Sequence, residues 1–300
     1  MKQQIMSIFT RTPLHVGSGS AVGVVDLPVM RERHTGYPVI PGSSLKGVLA
    51  DLWRDDLEAS KGTLVRRTGS DAELLFGVDN DPKNGVSGKL LVGEAKLVVF
   101  PVRSAKGGFA WLTCPLALGR LARDLGVTLD LPKLRSMEAV AARALVFEQK
   151  TTNANITKTT RKVILEEYVM DADEESAKLA PVVKALKGLA DDSLWQDELE
   201  SHLCLVSDEM FKYFVECTCE VAPHVQITDE TGTAADGALF SQENVPADAM
   251  FCAVFHELKP GLLGKLETKL AENGHLLQVG ADATTGLGWC SVVLRDIQAH

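Results

Sequence analysis

The sequence predicts an α+β protein with a ferredoxin-like core that carries polar insertions. Three observations predict it. Strand-like runs alternate with helical patterns in a β-α-β rhythm of antiparallel character. The segments between them are too polar to make a second core. No repeat of solenoid length is present. One domain, 1–300, is therefore expected, with an irregular insertion at 60–88, a helical, acidic insertion at 149–218 and a protruding hairpin at 228–248.

The elements follow in order. Residues 3–9 read as a strand, followed by a glycine-serine loop at 13–21. Residues 22–30 are apolar and β-branched, and Val39-Ile40 is a short strand. A helix is predicted from about Ser44 to Glu58, because Leu45, Val48, Leu49, Leu52 and Trp53 share one face. Ser43 or Ser44 can cap it, and Pro41-Gly42 stops anything earlier. The turn signals DNDPKNG make 61–87 irregular. KLLVGEAKLVVFPV (89–102) is a strand or hairpin, and Pro115–Leu125 is a short helix with proline in its first turn. QKTTNANITKTTRK (149–162) is polar and basic, a loop or arm, and KVILEEYVM returns to strand character. Helices are expected over 173–201 and over 207–218, the second opening at Ser207. Strands at 220–227 and 249–256 flank the long excursion TDETGTAADGALFSQENVPAD. A helix at 260–274 ends on a glycine cap, and strands at 276–279 and 289–294 enclose a final glycine loop.

Charge narrows the function. The net charge of −9 argues against a generic nucleic-acid binder. Its distribution leaves room for a local one. Residues 1–67 hold nine Lys/Arg against six Asp/Glu, and 143–162 hold five against one, whereas 171–209 hold three against eleven. The acidic excess reads as a solvated helical face, and the two basic segments stay free to form a groove. The six cysteines form no paired CxxC units, so structural zinc is not expected, and they read as reduced, mostly buried thiols. MKQQIMSIFTRT lacks the apolar stretch of a signal peptide, and no run is long enough to span a membrane. A cytoplasmic protein is expected.

Several motifs suit an anion. Gly17-Ser18-Gly19-Ser20 offers backbone N–H groups but misses the dinucleotide spacing and is followed by extended chain. The helix start Pro41-Gly42-Ser43-Ser44 offers free N–H groups with Lys46 in the first turn. Thr284, Thr285, Gly286 and Gly288 form a second glycine loop, which also suits a hairpin connection. Asp26 sits alone in Val24-Val25-Asp26-Leu27-Pro28; such a carboxylate is either bonded to backbone or placed for chemistry. His15, between leucine and valine, reads as a satisfied, half-buried side chain. Arg31 and Arg33 around Glu32 suit phosphate clamps or surface ion pairs.

TPLHVGSGS, VVDLPVMRERHTGYPVIPGSSLKG, GALFSQENVP and GADATTGLGW, in that order, resemble the RAMP superfamily of CRISPR proteins. The chain looks most like the backbone subunit of the type III-B effector complex. The resemblance implies an RRM-like (ferredoxin-like) palm with inserted helical and thumb-like hairpin appendages. It implies partners: guide RNA, target RNA, further copies of the chain stacked in a filament, and other CRISPR effector subunits. Each copy would cut target RNA at a regular interval, through the ribose 2′-OH, with Asp26 as the catalytic residue. A divalent metal ion, Mg or Mn, would be held by Asp26 together with RNA phosphate. RNA-binding roles are expected for His15, Gly17, Ser18, Gly19, Ser43, Ser44, Lys46, Arg161, Thr285, Gly286 and Gly288. Leu239 and Phe240 would form the wedge of the thumb. The family also carries an acidic and aromatic pair late in the chain. Here Glu243 is kept, but Ser241 and Gln242 stand where an aromatic and an acid are expected. Two other readings stay open: a guide-binding subunit without nuclease activity, and a stand-alone RAMP endoribonuclease that processes precursor RNA.

Overall fold

The computed structural model describes residues 2–20, 24–60, 63–78, 85–131, 143–148, 153–174, 176–228, 230 and 232–297. Its frame is built from strand β1 (Gln3–Thr10), helix α1 (Gly42–Asp51), strands β2 (Ala95–Ser104) and β3 (Gly108–Thr113), and helix α2 (Pro115–Leu125). Strands β4 (Glu220–Ile227), β5 (Ala234–Asn244) and β6 (Met250–Glu257), helix α3 (Leu262–Glu272) and strand β7 (Trp289–Asp296) complete it.

β1 lies at the centre. It is flanked by β6 and β7, both antiparallel, and β6 pairs in turn with β2. The order β2-β6-β1-β7 brings the two ends of the chain side by side. Every β1 residue after Gln3 is buried. Met6 and Ile8 enter one core, with Leu45 and Leu49 of α1 and Leu262, Leu263, Leu266 and Leu270 of α3. Ile5 and Phe9 enter the other, with Leu118 and Leu121 of α2. Burial on both faces explains why Ile5-Met6 and Ile8-Phe9, on either side of Ser7, place apolar residues at adjacent positions instead of alternating.

The mixed α/β sheet continues past β2 through β3, then Leu203–Leu205, Arg143–Val146, Tyr168–Glu174 and Lys162–Leu165. The segment 149–218 thus adds three strands to the main sheet: Lys162–Leu165 and Tyr168–Glu174, where KVILEEYVM reads as strand, and Leu203–Leu205, between two helices of a stretch read as helical and acidic. Runs of three or four apolar residues such as Leu203-Cys204-Leu205 are too short to show a period. The arm expected at 149–162 is packed where it is described: Asn153 and Asn155 are buried, and Asn153 Nδ2 donates to the Leu203 carbonyl.

Two boundaries differ from the sequence reading. The helix expected at Ser44–Glu58 runs Gly42–Asp51. Pro41 takes the cap position with no side-chain bond, so Ser43 and Ser44 lie inside the helix and do not cap it. Leu57–Ser60 then pairs with Thr63–Arg66 as a hairpin. The supposedly irregular 60–88 also holds a short helix, Asp71–Phe76. Ser70 Oγ accepts from Glu73 N–H, and the Glu73 carboxylate accepts from Gly69 N–H. This capping pair was hidden by the neighbouring turn signals. Asn80, Asp81 and Pro82 of the turn motif lie outside the described residues.

The excursion at 228–248 is part of a longer hairpin. β5 pairs antiparallel with β4, from Ile227↔Ala234 to Glu220↔Asn244, in a two-stranded sheet of its own. Four of the thiols are buried, Cys219 is half-buried and Cys217 is exposed. Among the described residues no helix is long and apolar enough to cross a membrane.

Trp111 ties these parts together. It is fully buried, meets Trp195 edge to face at 5.0 Å, and donates Nε1–H to the Asp248 carbonyl at 2.9 Å. Trp111→Ala should destabilise the fold by about 3–5 kcal/mol, read from urea unfolding monitored by circular dichroism.

Candidate functional site

The site forms where four segments converge. Residues 14–18 and 26–31 run side by side: Met30 N–H donates to Val16 O at 2.7 Å, and Ser18 N–H to Pro28 O at 3.0 Å. The second segment docks on the end of β5, with Leu27 N–H on Ser241 O at 3.0 Å and Glu243 N–H on Leu27 O at 2.9 Å. The terminal glycine loop closes the other side, with Ala281 N–H on His15 O at 2.9 Å and Gly288 N–H on Pro13 O at 2.8 Å.

Asp26 is exposed at this junction. Its Oδ2 accepts from Ser241 N–H at 2.7 Å and from Ser241 Oγ at 2.8 Å, while its own N–H donates to Ser241 Oγ at 3.0 Å. Among the described residues no other residue donates to Oδ1. The Ser241 N–H and then its hydroxyl hold the Asp26 carboxyl below its ordinary range. The sign follows. The bonds to Ser241 favour the folded state above the unfolded carboxylate value of about 3.9, and that support is lost as pH falls through the lower folded value. The carboxylate is thus bonded to backbone, as one sequence reading expects, and one oxygen remains open to solvent.

Glu243 sits behind it. One of its carboxylate oxygens accepts from Val29 N–H at 2.9 Å and the other from Arg31 at 2.5 Å. The Arg31 guanidinium also donates to the carbonyls of Gly36 and Val215. Arg31 is thus an internal strut and neither a phosphate clamp nor a surface pair. His15 is buried, and its Nδ1 bonds the Glu243 carbonyl at 2.6 Å. A carbonyl only accepts, so Nδ1 carries a proton and donates it. Nε2 lies beside Gly17, where an added Cβ would come within 2.7 Å of it. Between these residues, Gln242 Nε2 bonds Asp282 Oδ2 of the terminal loop at 2.8 Å.

Not all the expected residues meet here. His15, Gly17, Ser18 and Asp26 are brought together, and the loop of Thr285, Gly286 and Gly288 packs against them. Ser18 N–H is already taken by Pro28. Gly19 and Gly286 have left-handed φ of 96° and 87° in open space, and Gly288, at 75°, would meet Val279 O within 2.0 Å of a Cβ. Thr285 Oγ1 donates to the Asp282 carbonyl. Ser43 and Lys46 line a separate cavity of about 830 Å³, with Arg66 over the Phe76 ring at 5.9 Å. Arg161 is elsewhere, beside Lys162–Leu165, and pairs with Glu148 at 2.7 Å. Leu239 and Phe240, expected as one wedge, point to opposite faces of the hairpin because they are consecutive strand residues. Leu239 is 72% exposed, whereas Phe240 stacks on His224 at 5.2 Å. Among the described residues no group of three or more His, Cys, Asp or Glu comes together as a metal site. Asp26 offers one oxygen, which by itself is not a metal centre.

The site therefore sets an exposed, ionised carboxylate beside two glycine loops in a mixed α/β fold. The RAMP superfamily profile matches residues 8–291, and the chain belongs to that superfamily. It is 32% identical to the CRISPR system Cmr endoribonuclease Cmr4 of Pyrococcus furiosus, over 99% of this chain and 97% of that one. The crystal structure of oligomeric Cmr4 from Pyrococcus furiosus superposes with a TM-score of 0.69 at 27% identity, covering 100% of both chains. A subunit of the type III-B Cmr-beta complex bound to cognate target RNA shares the fold, with a TM-score of 0.70 at 18% identity over 98% of this chain and 97% of that one.

Ser241, Gln242 and Arg31 were the residues whose roles the sequence did not reveal. The only available signal was the mismatch at 241–242 against the family pattern. Glu243→Ala should leave the Arg31 guanidinium without its carboxylate partner and Val29 N–H without its acceptor. A loss of about 3 kcal/mol in urea unfolding, with faster hydrogen exchange at Val29, is expected.

Proposed function

We propose that this chain is the repeating backbone subunit of an RNA-guided type III-B complex, which binds guide RNA along a filament and cuts complementary target RNA at regular intervals. The observation that carries the reading is Asp26: ionised, exposed, clamped through Oδ2 and open at Oδ1, at the meeting point of both glycine loops and the hairpin base. The relatives named above as an endoribonuclease, an oligomer and a target-bound complex support it. The order β2-β6-β1-β7, with α1 and α3 on one face, supports reading the centre as a ferredoxin-like palm.

RNA brings its own nucleophile, so cleavage needs geometry more than an activated side chain. The 2′-oxygen attacks the adjacent phosphorus, its proton passes to Asp26 Oδ1, and the bond to the 5′-oxygen breaks. That oxygen takes a proton from water. The products are a 2′,3′-cyclic phosphate and a 5′-OH. An acceptor held this acidic is a weak base, so alignment of the splayed ribose carries most of the acceleration. A divalent ion held by Asp26 and RNA phosphate oxygens would supply charge neutralisation.

The hairpin is the proposed thumb. On β4 and β5, Val221, Val225 and Leu239 lie on the same face as Ser241, and all three are exposed. An apolar stripe leading to the carboxylate suits unstacked bases or a neighbouring copy. The α1 cavity, with Ser43 and Lys46, suits guide phosphates, which it grips by shape and not by base, and Ser44 lies beside Ser43 on the same helix. Base pairing by the guide then supplies sequence choice. Many weak grips, one per stacked copy, reconcile the net negative charge with RNA binding.

Asp26→Asn should reduce target cleavage by about 10²–10⁴-fold and leave target binding intact, read by gel assay and filter binding on the guide-loaded complex. Cleavage at the wild-type rate would leave the non-nuclease reading standing. Lys46→Ala should weaken guide binding uniformly across sequences. The slope of log K against log salt should fall by about 0.7, and an unchanged slope would remove α1 from the RNA path.

A further inference from the structure

Ser241 occupies a position where the family resemblance leads to an aromatic or an acid, and the structure gives it a different task. We propose that Ser241 is the positioning residue of Asp26: it clamps one carboxylate oxygen and aims the other at the RNA. The inference rests on the reading of Asp26 as the group that faces the cut phosphate.

The geometry is specific. The Ser241 hydroxyl has one proton and two lone pairs. It donates to Asp26 Oδ2 and accepts from Asp26 N–H, so one side chain ties both ends of the same residue. The Ser241 N–H adds a second donor to the same oxygen. With both donors on Oδ2, rotation of the carboxylate costs two hydrogen bonds, and Oδ1 stays outward. The register is fixed beside the pair, because Leu27 N–H bonds the Ser241 carbonyl and Glu243 N–H bonds the Leu27 carbonyl. The site contains other ionisable groups, but each is engaged elsewhere. Glu243 is held by Arg31 and Val29, Asp282 by Gln242, and His15 by the Glu243 carbonyl. The orientation of Asp26 therefore depends on Ser241 more than on any charged neighbour.

The test uses three full-length variants, Ser241→Ala, Ser241→Thr and Asp26→Asn. The Asp26 carboxyl carbon is followed by NMR in the ¹³C-aspartate-labelled chain across pH, assigned by its disappearance in Asp26→Asn. Target cleavage is measured with each variant assembled into the guide-loaded complex. In Ser241→Ala the titration midpoint should move up towards the ordinary carboxylate value. The cleavage rate should fall about tenfold, the worth of one aligned hydrogen bond, with target binding unchanged. Ser241→Thr, which keeps the hydroxyl, should restore both. A purely structural serine would move neither the midpoint nor its recovery by threonine. If either the midpoint or the rate of Ser241→Ala stays at the wild-type value, the proposal is overturned. Wild-type cleavage by Asp26→Asn would instead remove the Asp26 reading itself, whatever the serine variants show.

Discussion

Three consecutive residues at the end of β5 hold the site together. Ser241 binds Asp26, Gln242 binds Asp282 of the terminal loop, and Glu243 binds Val29, Arg31 and, through its carbonyl, His15. Each tether reaches a segment more than thirty positions away in sequence. The constraint is the Glu243 carboxylate, which is buried and costly to leave without hydrogen-bond partners. Arg31 and the Val29 N–H meet that need, and in doing so press the segment 26–31 against the hairpin. Asp26 is carried to Ser241 as a consequence.

This arrangement separates rigidity from exposure. Structural polar groups lie behind the surface, fully paired, and one carboxylate oxygen is left facing solvent. The same separation appears at His15, whose buried Nδ1 is fixed while Nε2 faces the glycine loop. Gly17 leaves that nitrogen uncovered because a larger residue would collide with it. A site that must admit a bulky, charged polymer gains from this design: the chain need not reorganise when the ligand arrives.

The hairpin carries the site as well as the proposed wedge. Its inner end supplies the three tethers, and its outer part presents Val225 and Leu239 on the same face. A twist or shift of the hairpin would therefore move Ser241 and Asp26 together. On the proposed function, engagement of bases by the outer part and alignment at the carboxylate become mechanically one event, since both lie on a single two-stranded ribbon.

The sequence by itself determined the mixed α/β character, the proline-started α2, the glycine loops, and Asp26 as an isolated carboxylate in an apolar run. These signals are local: periodicity, caps and turn residues act within a few positions. It misplaced the end of α1 and missed Asp71–Phe76, where competing turn signals sat beside a capping pair. Short strands such as Leu203–Leu205 were illegible because their partners, not their composition, make them strands. Only the tertiary structure decided that Arg31 is an internal strut, that Leu239 and Phe240 face opposite ways, and that Ser241 clamps Asp26. Those bonds span 184 to 215 positions, and no local preference encodes which distant donor will meet a given carboxylate once the sheet has closed.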